Sequence, residues 1–420
     1  MHYLVLLDQK ENKNRVRAEV KFPLILIHTP FGLHFFDKVA TTKAGRVYAK
    51  FNVYLMPIIT ALAISLIAMS LIATFSNAAA RAGERNLGPQ SNLLIPGLNP
   101  YLPWTYGWIA LVVTIIIHEA GHGIVARVYN VKVESTGLLL ILGFPIGAFV
   151  NIAQEELSRT PLKQKSAILT AGPLNNMVIA IVSLIALYFI ASSLTPISTH
   201  SVPQYGVVVL GVGDHSLADS IGLSKGAIVE TVAGQKVHNT DDLLKLLKSN
   251  LGNTVRIMWQ DGSGHQITRS VTLPKSVEPN HGVLGVSITN GIPDPVQVLT
   301  KYRDAFTFRS NPIILLFPPT IVQEVVPYSD LMAPKYHSSI LGSAFPAVAN
   351  MIFWLMFFNF NVGIFNALPI GPLDGGQYYK SVIESRVNSK TKKLKNASLV
   401  ITLVMTAVVI MSVFVPWLIR

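Results

Sequence analysis

Two histidines and a glutamate, spaced His118-Glu119-Ala120-Gly121-His122, lie inside the apolar run WIALVVTIIIHEAGHGIVARVY. On a helix of 3.6 residues per turn, positions i and i+4 share a face. Both imidazoles can then reach one ion while Glu119 stands beside the water that ion would hold. The chemistry such a set performs is hydrolysis by a metal-activated water. Catalytic zinc takes three protein ligands, keeps a fourth position for water and lowers the pKa of that water to about 7. Ionisable groups in an apolar span are costly, and that cost favours a functional reading over a packing one. The plainer alternative is a His and Glu that face the interior of a bundle and pair with each other.

Two imidazoles leave one protein ligand to find. The chain contains no cysteine, so no disulfide framework exists and the donor must be histidine or carboxylate. The other nine histidines lie outside the apolar spans. The run Asn366-Ala-Leu-Pro-Ile-Gly-Pro-Leu-Asp374-Gly375-Gly376 follows an apolar helix expected at 346–365, and its Pro and Gly residues end that helix and expose backbone. Asp374 is the only carboxylate between Asp330 and Glu384. By itself an Asp-Gly pair after prolines reads as a turn. Beside an intramembrane HExxH it becomes the leading candidate for the third ligand.

The elements that must position these residues are membrane helices. Half of the 420 residues are hydrophobic and only 13% are charged, more apolar surface than a soluble domain can hide. Stretches at 53–74, 104–126, 167–191, 346–368 and 398–419 are long enough to cross a hydrocarbon core, which takes roughly 20 helical residues. The first 50 residues are rich in Lys and Arg and the first apolar segment has no evident cleavage site, so that segment reads as a retained anchor. The net charge of +12 raises the question of nucleic acid. Its Lys and Arg cluster beside apolar spans, however, at Lys38 to Lys50 and Lys380 to Lys395, which points to topology and anionic headgroups; no nucleic-acid partner is expected. The same bias orients the chain, with a cytoplasmic N-terminus, the loop at 75–103 outside, and Arg127, Lys132, Arg159, Lys163 and Lys165 inside. The last span then leaves the C-terminus outside.

Three further regions are legible. The stretch TGLLLILGFPIGAFVNI is broken by Gly137, Gly143, Pro145 and Gly147, which argues for a hairpin or re-entrant segment lining a cavity. From 205 to 290 short alternating runs and turn signals take over, and the segment Gly222-Leu223-Ser224-Lys225-Gly226-Ala227-Ile228-Val229 with the amphipathic Asp241 to Asn250 resembles a PDZ domain, a fold that binds an extended peptide at a sheet edge. Residues 291–345 are Pro-rich and read as irregular and membrane-proximal, while residues 1–50 form a strand-and-turn region of unread purpose.

Taken together, the HExxH at 118–122, the Asn-x-x-Pro and Leu-Asp-Gly motif at 366–375 and the central Ala171-Gly172-Pro173-Leu174-Asn175-Asn176 resemble the site-2 protease family of intramembrane zinc metalloproteases. The resemblance covers roughly residues 104–380. It implies a polytopic α-helical membrane protein of five to six membrane segments, with a re-entrant β-hairpin and an inserted PDZ-like α+β domain. The expected order is a cytoplasmic region at 1–50, an anchor at 51–75, a first half of the protease core at 104–194, the PDZ-like domain at 205–290, the Pro-rich region at 291–345, a second half at 346–380 and a last helix at 398–420. It further implies zinc on His118, His122 and Asp374, Glu119 as base, and Asn176 polarising the scissile carbonyl. The Gly-Pro-x-x-Asn spacing selects Asn176 over the adjacent Asn175. Gly143, Gly147 and Asn175 are then substrate-positioning candidates, the hairpin at 137–152 presenting an extended chain. The implied partners are transmembrane protein substrates, the lipid bilayer and a peptide ligand of the PDZ-like domain, and the implied location is the cell membrane with the PDZ-like domain outside the cytoplasm. Two rivals stay open: another class of membrane HExxH protease that takes a glutamate as third ligand, and a catalytically silent scaffold that uses the PDZ-like domain for binding.

Overall fold

The computed structural model describes residues 16–141, 144–197, 206–213, 216–262, 264–276, 282–290, 294–386 and 392–419. They fall into two compact units, Met1–Leu187 with Met351–Arg420, and Tyr188–Asn350.

The first unit opens with strands β1 (Arg17–Lys21) and β2 (Leu24–Thr29), helix α1 (Leu33–Ala40), the long helix α2 (Lys43–Ser76) and the short α3 (Ala78–Leu87). Then come α4 (Trp104–Val128), strands β3 (Val133–Ile141) and β4 (Phe144–Ile152), α5 (Gln154–Arg159) and α6 (Leu162–Ser193), whose last turns pass into the second unit. Five helices among the described residues are long and apolar enough to cross a membrane: Lys43–Ser76, Trp104–Val128, Leu162–Ser193, Gly342–Asn366 and Asn396–Leu418. The chain is a polytopic helical membrane protein. Helix α2 begins ten residues before the apolar stretch that marks it in the sequence, because Thr42 caps it by accepting from the Gly45 amide. Its basic first turns carry the helix beyond the hydrocarbon-crossing part. The buried residues Gly45, Ala49, Asn52, Met56, Ile59 and Ala63 recur at helical spacing and form one stripe, leaving the remaining faces apolar and open, as lipid requires.

Side chains at the helix ends establish the order of the bundle. Arg81 donates to the carbonyls of Thr74 and Phe75 at the end of α2, and Arg85 donates to those of Pro416 and Ile419 at the end of the last helix. These two C-termini therefore share a side. At the opposite side Arg127, in the last turn of α4, pairs with Asp37 of α1 at 3.2 Å. Helix α4 thus runs against α2.

The expected hairpin is present as the antiparallel pair β3 and β4, with Gly147 opposite Leu139 beside an irregularity in register. Gly143 lies outside the described residues. The hairpin is not alone: β2 pairs antiparallel with β3, from Leu24 opposite Ile141 to Thr29 opposite Thr136, giving a four-stranded sheet in the order β1-β2-β3-β4. One edge of the hairpin is thereby occupied by the N-terminal strands, and of its two strands only β4 remains an edge.

The second unit begins with β5 (Leu194–Pro196), followed by β6 (Val207–Val212), α7 (Leu217–Ser220), β7 (Ile228–Val232), β8 (Gln235–Lys236), α8 (Thr240–Ser249), β9 (Thr254–Gln260), β10 (Gln266–Thr272) and β11 (Val286–Asn290). The strands order as β10-β9-β7-β6-β11, with β8 on β7, so β11 is an edge. Val207, Val229, Leu243, Ile257 and Trp259 form its core. Helix α8 starts where Asn239 accepts from the Asp242 amide and buries Leu243 and Leu247, four residues apart. The Pro-rich stretch contains more order than its composition suggests: α9 (Pro295–Phe306) is capped by Asp294 with Pro295 in its first turn, and β12 (Tyr336–Ser338) pairs with β5. Helix α10 (Phe345–Asn366) leads back into the first unit, which α11 (Asp374–Arg386) and α12 (Lys392–Leu418) complete.

Candidate metal centre

Helix α4 carries His118 and His122 one turn apart, both buried. Asp374, the first residue of α11, comes from a segment 256 positions later. Its Oδ2 lies 3.0 Å from Nε2 of His118 and 3.2 Å from Nε2 of His122, and the two Nε2 atoms are 3.2 Å apart. Ligands at 2.0–2.1 Å on a tetrahedral zinc stand roughly 3.3 Å from one another. The triangle of donors is therefore the size one ion requires, and among the described residues these three form a metal-competent group. Burial works against a charge on Asp374, but the imidazoles of His122 and His118 outweigh it and hold the carboxyl well below the usual carboxylate range. The third donor is thus an anion.

The rings are held from behind. Nδ1 of His122 donates to the Ile168 carbonyl at 2.7 Å, which leaves Nε2 as the lone-pair nitrogen. Asn176, fully buried on α6, places its amide 3.0 Å from Nδ1 of His118 through Nδ2, while its Oδ1 has no partner. For Nε2 of His118 to be a ligand, its proton must sit on Nδ1 and needs an acceptor. The amide has the same shape turned over, and Oδ1 then accepts a hydrogen bond from Nδ1–H. The orphaned oxygen and the tautomer required for metal are resolved by the same rotation. Space for an ion is kept by glycine: a Cβ at Gly172 would meet Nε2 of His118 at 2.6 Å and Nε2 of His122 as well.

Glu119 points to the hairpin, and its Oε2 accepts from the Val150 amide of β4 at 2.8 Å. Asn175 has both ends engaged by protein: it donates to the Ile117 carbonyl at 2.9 Å and accepts from the Tyr48 hydroxyl at 2.6 Å. It therefore ties α2, α4 and α6 together one residue before His118. Thr60 of α2 donates to the Ala367 carbonyl at 2.7 Å and anchors the segment that delivers Asp374. Sequence reasoning did not reach Tyr48, Thr60, the Ile168 carbonyl or the Val150 amide. Two of these are backbone groups, which have no residue signature, and Tyr48 sits in a basic stretch with no motif around it.

A HExxH pair on one apolar helix, a carboxylate at the start of another helix and five helices long and apolar enough to cross a membrane define a helical membrane protein with a metal-competent His-His-Asp group. Residues 106–411 match the model of Peptidase family M50, and the chain belongs to that family. Similar curated proteins include an uncharacterized protein of Methanocaldococcus jannaschii, 25% identical over 72% of this chain and 64% of that protein. A candidate zinc metalloprotease of Clostridium perfringens is 25% identical over 66% of this chain and 87% of its own length. A candidate protease of Enterococcus faecalis is 22% identical over 64% of this chain and 63% of its own. The chain thus spans less than two thirds of the first and last of these relatives.

Proposed function

We propose that this protein is a zinc metalloprotease of the site-2 type that hydrolyses peptide bonds of membrane-spanning substrates. The observation that carries the reading is the triangle of buried His118 and His122 with half-buried Asp374, matched to zinc in donor type and spacing, with Glu119 on the same helix as the histidines. When bound, the ion supplies Lewis acidity and an activated water. This chain's own residues do the rest. Glu119 accepts the proton of the attacking water and passes it to the leaving amine. Asn176 holds His118, and its second amide end is the group assigned to the scissile carbonyl. A helical substrate must unwind before its amide can be reached. The β4 edge beside Glu119 is suited to pairing with the released strand, and Gly147 on β4 keeps that edge free of a side chain; Gly143, the other glycine assigned to positioning substrate, lies outside the described residues. Zinc is the resident metal in this reading, the N-terminus is cytoplasmic, and the unit built on β6 to β11 is an extracytoplasmic PDZ-like domain that takes an extended peptide at its β11 edge.

Cleavage of a model transmembrane substrate by wild type and Glu119→Gln, with metal content measured in both, tests the assignment. The variant is expected to keep stoichiometric zinc and lose roughly 10²–10⁴-fold in rate, the span of a general base. Loss of zinc from the folded variant would show that Glu119 is a ligand instead.

A further inference from the structure

Between α10 and α11 the chain passes through residues 367–373, and this loop aims the Asp374 carboxylate. Its backbone donors can be followed one by one. Pro369 and Pro372 have no N–H. The amides of Ala367 and Leu368 close on the α10 carbonyls of Gly363 and Phe365, that of Ile370 closes on Leu368, and that of Leu373 on Ile370. Gly371 is different. Its N–H leaves the loop and donates to the Thr402 hydroxyl of α12 at 3.1 Å.

Thr402 is prepared to accept it. Its own proton is committed to the Ser398 carbonyl one turn back, at 2.9 Å, which leaves the oxygen's lone pairs for Gly371. The residue stands six positions into the apolar stretch Asn396–Leu418, about 9 Å along the helix. Inside such a span water does not stand in for a lost partner, so a freed amide is costly. Met405, Val408 and Val409 of α12 join Leu368, Ile370 and Leu373 of the loop in one apolar cluster around the bond. At the other end of the loop Thr60 donates to the Ala367 carbonyl, so one helix hydroxyl gives a proton to the loop and the other takes one.

The loop passes its position to Asp374 because the two are in backbone contact. A Cβ at Gly375 would overlap the Ala367 carbonyl oxygen, and one at Gly376 would overlap that of Ile370. The first turn of α11 therefore rests on the loop backbone, and a shift of the loop moves the carboxylate that meets both imidazoles.

We infer that Thr402 is a positioning residue of the metal centre. By accepting from Gly371 it fixes the loop that aims Asp374, and it makes the last membrane helix part of a centre to which that helix gives no ligand. The inference rests on Asp374 as the third ligand, and its test separates the two.

Zinc affinity is measured by competition with a chelator on the full chain in phospholipid nanodiscs, and the absorption of cobalt(II) in place of zinc reports donor geometry. Thr402→Val keeps the shape and removes the acceptor, whereas Thr402→Ser keeps the acceptor. Zinc is expected to bind about 10-fold more weakly to Thr402→Val, the low end of what an outer partner of a ligand costs, with an altered cobalt spectrum. Wild-type values are expected for Thr402→Ser and for Ser412→Ala, whose hydroxyl donates to the Val409 carbonyl of its own helix. Thr402→Ala, which adds no bulk, gives the same reading if the valine variant does not fold. Wild-type affinity and spectrum in the valine variant, or equal losses in the valine and serine variants, would overturn the inference, while a loss in Asp374→Ala would leave the ligand assignment standing. Unchanged affinity in Asp374→Ala would remove that assignment and this inference with it.

Discussion

Each residue of the metal centre is held by a partner that limits what it can do. In the proposed centre Asp374 is the anionic donor, and Asp374→Ala is expected to lower zinc affinity by more than the roughly 10–100-fold that an outer-shell partner costs, with activity falling in step. Asp374→Glu should retain part of the metal with displaced geometry. Full zinc occupancy in the alanine variant at limiting metal would remove Asp374 from the ligand set. Asn176 acts through His118, so its substitutions separate packing from tautomer control. Asn176→Asp keeps an acceptor for the Nδ1 proton and should bind zinc at least as tightly as wild type, whereas Asn176→Leu fills the space without an acceptor and should lose about 10–100-fold. Equal affinities in competition with a chelator would leave Asn176 a packing residue only.

Among elements, the hairpin and the HExxH helix meet through one backbone amide. Val150→Pro removes the N–H that donates to Glu119 and leaves a half-buried carboxylate oxygen short of a donor, a loss of about 1.5–3 kcal/mol for a bond to a charged group. Val150→Ala keeps the amide. Proteolysis should therefore fall in the proline variant, survive in the alanine variant, and zinc content should be unchanged in both. A proline variant as active as the alanine one would mean that the bond does not orient Glu119. The same edge shows why N-terminal strands matter to a site they do not touch. By occupying the β3 side of the hairpin, β2 leaves β4 as the free edge beside Glu119, the proposed base.

For the whole molecule, the chain devotes residues 188–350 to a unit that contributes none of the three metal donors. Its role in the proposed function is to admit substrates rather than to cut them. Deleting residues 206–290 should leave cleavage of a short transmembrane substrate without an ectodomain largely intact while relaxing discrimination against substrates with large ones. Loss of the short-substrate activity in a deletion variant that still binds zinc would refute gating.

Much of the site is legible in the sequence because its chemistry is local. His118, Glu119 and His122 need only the pitch of one helix to share an ion, and the length and apolarity of five segments state that they cross a membrane. Asp374 is legible as a candidate by scarcity, since it is the lone carboxylate of its region. What holds these groups is not legible, because it resides in contacts between distant segments. The Ile168 carbonyl behind His122, the Thr60 hydroxyl on Ala367 and the Tyr48 clamp on Asn175 all depend on which helix faces open toward each other. The N-terminal strands show the same division. Their alternation is visible in Phe22 to His28, but their partner is β3, more than a hundred residues away, and pairing register is a property of backbones. The sequence by itself nominated the donors and the base and determined the solvent the helices require. The tertiary structure alone decided which groups orient them, because hydrogen bonds to backbone atoms leave no trace in residue type.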